Sequence, residues 1–308
     1  LRSLLDQVLG SENFIANVTW QGSGKNDARY TAGGVDYMLI YAKNERLLRS
    51  LDTRWKEPKP GIDQVDAVAR RAWQQSGGDA AKATTIFRSG VRAIKADLEP
   101  AVFRYDQIDD QGRVFQADNI TSPNPRPNLM YDLVHPRTGR AVRTPTNGWR
   151  YARATMDELI SDGRILFGPD ETTSPRMKRY LSEQSDRVPY PTFTQSRMPG
   201  TKKLDDLLRA DVFDYPKDTA VLARWFGAIT RDKPDAVILD FFAGSGSTGH
   251  AVMDLNSADG GNRRYILVQL GEAVDHPDYD TIASIARERL RRAGVQAKQT
   301  AGLLGADL

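Results

Sequence analysis

One stretch limits the fold more than any other. An apolar strand pattern, AVILDFF at 236–242, runs into a glycine-rich turn, AGSGSTG at 243–249, which opens a helical pattern at about 247–256. A second apolar strand, YILVQL at 265–270, follows the polar turn SADGGNRR. Strand, turn, helix and strand at these lengths make a βαβ unit, which predicts a parallel sheet and an α/β fold class. Gly244, Gly246 and Gly249 match G-x-G-x-x-G. Glycines there let the chain turn sharply and let a ligand approach the backbone. The helix start behind them offers free N–H groups and a partial positive charge. Ser247 or Thr248 is expected to cap that helix.

The remainder falls into zones. In residues 1–44, Leu1, Leu4, Leu5, Val8 and Leu9 recur at helical spacing up to Gly10. FIANVTW (14–20) and DYMLIYAKN (36–44) then read as an antiparallel strand pair around a polar loop at 21–34. Residues 45–200 are irregular, with two helices expected at 61–76 and 79–98. Residues 201–308 carry helical patterns at 201–210 and 217–230, then the βαβ unit, then an amphipathic helix at 279–293. Its Arg287, Arg289, Arg291 and Arg292 read as an exposed basic face.

Several function classes are excluded. The chain has no Cys, which removes disulfide scaffolds, thiolate metal sites and Cys nucleophiles. His135, His250 and His276 are not at ligand spacing, so no metal site is expected. No apolar run reaches the roughly 18 residues of a membrane span, and the N-terminus is not a secretory signal, so a cytoplasmic address is expected. Net charge is only +3, but it is unevenly spread. Between 123 and 153, Arg126, Arg137, Arg140, Arg143, Arg150 and Arg153 face one acid, Asp132, with Tyr131, Trp149 and Tyr151 interleaved. Arginines pair with phosphates and read guanine edges, and aromatic rings pack on sugars or bases, so this cluster is the leading candidate for contact with double-stranded DNA. Lys25 and Arg29, in the 21–34 loop, form a second set.

Two ligand classes compete for the glycine turn: a dinucleotide, held by its pyrophosphate, and S-adenosylmethionine (AdoMet). Asp240 lies four residues before Gly244, where a dinucleotide fold is usually apolar and where an acid is ordinary for AdoMet-dependent methyltransferases. DFFAGSGSTGHAVMDLN (240–256) resembles the AdoMet motif of amino-methylating DNA methyltransferases, and GGNRRYILVQLGE (260–272) resembles the next motif of type III restriction–modification modification subunits. FIANVTW with DYMLIYAKN resembles the strand pair after that family's catalytic motif. RPNLMYDLVHPRTG (126–139) and NGWR (147–150) resemble signatures of its target-recognition region, and TIASIARERLRRAG its helix after the second AdoMet motif.

The resemblance implies a Rossmann-like methyltransferase sheet in the beta-type order: methyltransferase core at 1–44, an irregular α+β target-recognition domain at 45–200 and the AdoMet-binding part at 201–308. It implies that Phe242, Ala243, Gly244 and Gly246 line the cofactor site, with Asp240 supporting the loop. Either Gln269 or Glu272 would hold the ribose hydroxyls, and Tyr215-Pro216-Lys217 would close over the cofactor. The implied reaction is methyl transfer to adenine N6, with cytosine N4 as the alternative; homodimers and assembly with a restriction helicase–nuclease subunit are implied too. The family's Asp-Pro-Pro-Tyr is absent, since the sequence has no Pro-Pro pair, so the chain is expected to be a fragment inactive alone, with no catalytic residue named. A non-catalytic DNA-binding module and a dinucleotide-dependent oxidoreductase remain the rival readings.

Overall fold

A computed structural model describes residues 1–22, 29–30, 33–95, 98, 101–209 and 211–305. Lys25 lies outside the described residues. The chain divides into two compact units, one made of 1–57 with 188–308 and the other of 58–187. The inserted unit is thus shorter at both ends than the irregular 45–200 zone of the sequence.

In the first unit, Phe14–Gln21 is the central strand of three. It runs antiparallel to Val35–Tyr41 and parallel to Thr192–Thr194. Val18 and Trp20 point from this sheet onto Val221 and Trp225 of the Thr219–Thr230 helix, forming one core cluster. That helix begins at Asp218, whose carboxylate accepts from the Ala220 amide at 2.8 Å, so Pro216 stands outside it. The βαβ unit follows. Val237–Asp240 and Arg264–Leu267 pair in parallel, in register from Val237↔Arg264 to Asp240↔Leu267, with the Ser247–Asp259 helix between them. Both strands are shorter than the apolar runs that predict them, and this pair is two-stranded among the described residues. The last helix, Ile282–Gly305, runs well past the expected 293 and packs on Ser247–Asp259 and on Met198–Leu208. Its start is displaced because Tyr279–Thr281 pairs with Ala273–His276 as a short hairpin.

Two apolar faces have no cover among the described residues. On the parallel pair, Val237, Leu239, Ile266 and Val268 are exposed, while the alternating Ile238 and Leu267 are half-buried. In the Arg2–Leu9 helix, Leu4 and Val8 are exposed, so the apolar stripe of the sequence forms no core here.

The 58–187 unit has its own interior. The Ile62–Gln75 and Ala80–Ala93 helices pack through Val65, Ala69, Ala72, Ala83 and Phe87, and Asp79 caps the second by accepting from the Lys82 amide. A four-stranded antiparallel sheet runs in the order Gln107–Ile108, Val114–Asn119, Arg176–Tyr180, Ile165–Leu166. A second cluster gathers Ile120, Leu133, Trp149, Met156 and Met177. Trp149 is fully buried and donates its indole N–H to the Tyr131 carbonyl at 2.8 Å. Tyr131 and Tyr151 pack on the same cluster. Trp149 is therefore a core residue and is not available to stack on bases, because burying its large ring stabilises this small unit, while Tyr131 and Tyr151 stay half-buried at the edge of the cluster.

Candidate cofactor site

The glycine turn sits where Val237–Asp240 ends and the Ser247–Asp259 helix begins. Gly244 and Gly246 have φ of +51° and +78°, the left-handed region that costs an L side chain roughly 1–2 kcal/mol. Gly246 is the helix N-cap and has no side chain to cap with. The expected capping hydroxyls are committed elsewhere. Thr248 donates to the Asp240 carboxylate at 2.6 Å, and Ser247 Oγ accepts from Arg289 at 2.8 Å. As a result the amides of Ser247, Thr248 and Gly249 have no acceptor among the described residues, which leaves donors at a positive helix end.

Asp240 organises the turn. One oxygen accepts from the Phe242 amide at 3.1 Å and the other takes the Thr248 hydroxyl. The next strand fastens the other side. Ala243 donates to the Val268 carbonyl, and Gly244 N–H donates to the Gln269 side-chain carbonyl at 2.8 Å. That bond fixes the Gln269 amide, whose Nε2 then donates to Glu272 at 3.3 Å. Glu272 itself is exposed. Phe241 and Phe242 are exposed aromatics at the mouth of the turn, Phe242 to 83%. Gly249 serves packing: a Cβ there would stand 2.6 Å from Leu290 of the last helix and 3.0 Å from Leu267 of the next strand, so a side chain would force both to shift.

Two partners of the turn escape the sequence reading. A Cβ on Gly244 would lie 3.5 Å from the Phe213 ring, which places Phe213 against the turn. Lys217, the residue before the helix cap, instead meets Asp36 at 3.4 Å, beside the Arg197–Asp36 pair. Arg289 corrects the expected exposed basic face. Arg287 and Arg291 are exposed, but Arg289 is fully buried, on one stripe with Ile285 and Ala293 at i, i+4 and i+8. Its guanidinium reaches Ser245, Ser247 and His250. His250 is buried too, and burial pulls its pKa down from 6.5 to about 4, with Asp254 opposing and Lys203 and Arg289 assisting. Because Arg289 Nε donates to His250 Nδ1, the neutral imidazole carries its proton on Nε2, facing Asp254.

The arginine cluster divides. Arg140 pairs with Glu171, Arg153 with Asp157, and Arg150 shares Asp118 with Arg179. Arg126, Arg137 and Arg143 are exposed, and their side chains have no ion-pair partner among the described residues. Arg143 borders a cavity of about 480 Å³ with Thr121, Thr144, Thr146, Asn147 and Thr172. Arg29 is exposed, its guanidinium 5.7 Å from the Tyr30 ring. Among the described residues no three acidic or imidazole groups gather as a metal would require, and no helix is long and apolar enough to cross a membrane.

A strand-to-helix glycine turn with free amides, braced by an acid before it and a side chain from the next strand, is an arrangement in which α/β folds commonly receive a ligand. The sequence profile described as DNA methylase, of the N6/N4 type, matches residues 1–274, and the chain belongs to that family. Three relatives give its neighbourhood. The EcoP15I Mod subunit of a type III restriction-modification enzyme from Escherichia coli is 28% identical over 303 residues, covering 95% of this chain and 45% of that protein. The StyLTI Mod subunit of a type III enzyme from Salmonella typhimurium is 28% identical over 320 residues, covering 100% of this chain and 42% of that protein. The type II methyltransferase M.KpnI from Klebsiella pneumoniae is 26% identical over 282 residues, covering 89% and 60%. The chain thus spans less than half the length of the two Mod subunits it matches.

Proposed function

We propose that this chain is the cofactor-binding and DNA-recognising part of a type III modification subunit, a DNA methyltransferase that methylates adenine N6. The observation that carries the reading is the braced glycine turn: an acid-supported loop, free helix amides and a strand-end carboxylate, in a chain of the DNA methylase family. AdoMet supplies a methyl group made electrophilic by its sulfonium. The residues present suit it. Gly244 and Gly246 keep the backbone bare, and the Ser247–Gly249 amides suit a carboxylate. Phe242 and Ala243 continue the wall. Glu272 takes the role of ribose acceptor and Gln269 that of its orienter, because Gln269 is already spent on Gly244 and Glu272 is exposed. Lys217 is kept in this reading as a residue that closes over the cofactor, on the resemblance of Tyr215-Pro216-Lys217 alone, since its ammonium meets Asp36 at 3.4 Å. The parallel strand pair is read as part of a Rossmann-like sheet, and the 58–187 unit as the target-recognition domain. Homodimerisation and a restriction subunit as partner belong to the same reading.

Incubating the complete protein with methyl-labelled AdoMet and duplex DNA, then hydrolysing the DNA, tests it. Label in N6-methyladenine is expected. Label in N4-methylcytosine would overturn the adenine assignment, and no labelled DNA would overturn the reading.

Within the 123–153 cluster, Arg126, Arg137 and Arg143 are exposed and without an ion pair among the described residues, which suits them to meet phosphate. Replacing all three by Ala is expected to reduce the slope of log K against log salt by about 2.7, from about 0.9 per phosphate contact. Binding measured from low to moderate salt checks this; an unchanged slope moves the DNA surface elsewhere. Glu272→Gln is expected to loosen AdoMet about tenfold or more, since charge-assisted hydrogen bonds contribute roughly 1.5–3 kcal/mol each. The melting temperature should be unaltered, because Glu272 is exposed. Calorimetry reads both, and an unchanged affinity would return the ribose role to Gln269.

A further inference from the structure

We infer that Arg289 is a positioning residue of the cofactor turn, one that fixes the Ser245–Gly246–Ser247 backbone from behind so that the helix amides face AdoMet. This rests on the cofactor reading above. Four observations lead to it. Arg289 is fully buried, and its Nη1 donates to Ser245 Oγ at 3.0 Å, to Ser247 Oγ at 2.8 Å and to the Ser245 carbonyl at 3.4 Å. Those two serines flank Gly246, the left-handed N-cap that no side chain secures. The second anchor of the guanidinium is the buried His250, one helical turn along the same Ser247–Asp259 helix. No carboxylate hydrogen-bonds to the guanidinium, and Nη2 has no partner at all among the described residues.

A buried cation with that bonding pattern is expensive to maintain. Removing a long charged side chain from water costs several kcal/mol unless it is paired and hydrogen-bonded. A purely packing residue at this point on the helix stripe, such as Met or Leu, would avoid that cost. What Arg supplies and an apolar residue cannot is a planar fork that holds two hydroxyls and an imidazole in fixed relation. It also supplies a positive charge just behind the helix start, where the amides already favour an anion. Burial lowers its pKa to about 10, so the charge persists at neutral pH. The structure thereby gives the turn two braces from different elements: Asp240 on the strand side and Arg289 on the helix side. The methionine carboxylate of AdoMet is the anion that this pair of donors and charge would favour.

Three variants of the complete protein test the assignment: Arg289→Lys, Arg289→Met, and Ser245→Ala combined with Ser247→Ala. The readouts are the AdoMet KM against kcat, the DNA affinity and the melting temperature. Arg289→Met is expected to raise the AdoMet KM at least tenfold, with DNA affinity within twofold of the parent. Arg289→Lys, which keeps the charge but loses the fork, should fall between. The double serine variant leaves Arg289 in place and removes only two hydroxyl oxygens, and should raise the AdoMet KM several-fold with kcat little changed. If the serine variant and Arg289→Lys bind AdoMet like the parent, the positioning role is overturned. It is equally overturned if AdoMet and DNA affinity fall together with the melting temperature, since that pattern marks a structural residue. A parent protein that binds no AdoMet would bring down the cofactor reading itself. A parent that binds and loses AdoMet through Glu272→Gln, beside indifferent Arg289 and serine variants, would overturn this inference alone.

Discussion

Gly246→Asp should weaken AdoMet binding by about 100-fold or more, the scale expected when a positioned group moves by an ångström. The geometry gives the cause. Gly246 has φ +78°, and a Cβ there would point at the last helix, 3.4 Å from the Ala286 Cβ and carbonyl oxygen. The new side chain therefore does not fill the ligand's space. It strains the left-handed N-cap and pushes the turn off Ala286, and its carboxylate competes with an anionic ligand for the same helix amides. Gly246→Ala separates these effects. It keeps the strain, roughly 1–2 kcal/mol, but adds no charge, so its loss should be about tenfold. Calorimetric titration, alongside a melting curve showing a folded variant, checks both. Equal effects of Ala and Asp would show that backbone strain alone matters.

The second large effect is on stability. The His250 pKa of about 4 in the folded protein lies below the ordinary 6.5. Above pH 6.5 the imidazole is neutral folded and unfolded, and it adds no pH dependence. Between 6.5 and about 4 the unfolded chain binds a proton that the folded protein refuses, so stability falls as pH falls, by up to about 3 kcal/mol. The groups facing His250 are Asp254 on its own helix, Arg289 on the last helix and Lys203 on Met198–Leu208. Protonation would also end the bond from Arg289 Nε, since an imidazolium accepts nothing. Urea unfolding at pH 7, 5.5 and 4.5 measures the decline. His250→Gln, which keeps an acceptor for Arg289 but does not titrate, should lose about one proton's worth of slope. Parallel curves for the two proteins would refute the buried, neutral imidazole.

What the sequence made legible follows from which signals are local. The βαβ unit is written in contiguous apolar runs and in glycines, and each needs only its neighbours to be read. The strand pair 14–21 and 35–41 is similar, since alternation and a polar loop define it. Arg289 is different. Its partners lie 39 to 44 residues away, and a charge counted by type reads as surface. Only the spacing of Ile285, Arg289 and Ala293 hints that it lies inward. Trp149 fails for the same reason: an aromatic among arginines looks like a nucleic-acid contact until a long-range core claims it. Strand pattern does not separate Gln269 from Glu272, because the contact on which the proposed choice rests is a side-chain bond to the Gly244 amide. The expected caps Ser247 and Thr248 were drawn away by Arg289 and Asp240, two competitors that helix-start rules do not include.

The most direct measurement is a calorimetric titration of the complete protein with AdoMet, run in parallel with NAD and NADP. Saturable AdoMet binding at one site per chain, weakened by Glu272→Gln, is expected, with no heat from either dinucleotide. Saturation by a dinucleotide, or an AdoMet affinity indifferent to Glu272 and Gly246 alike, would contradict it.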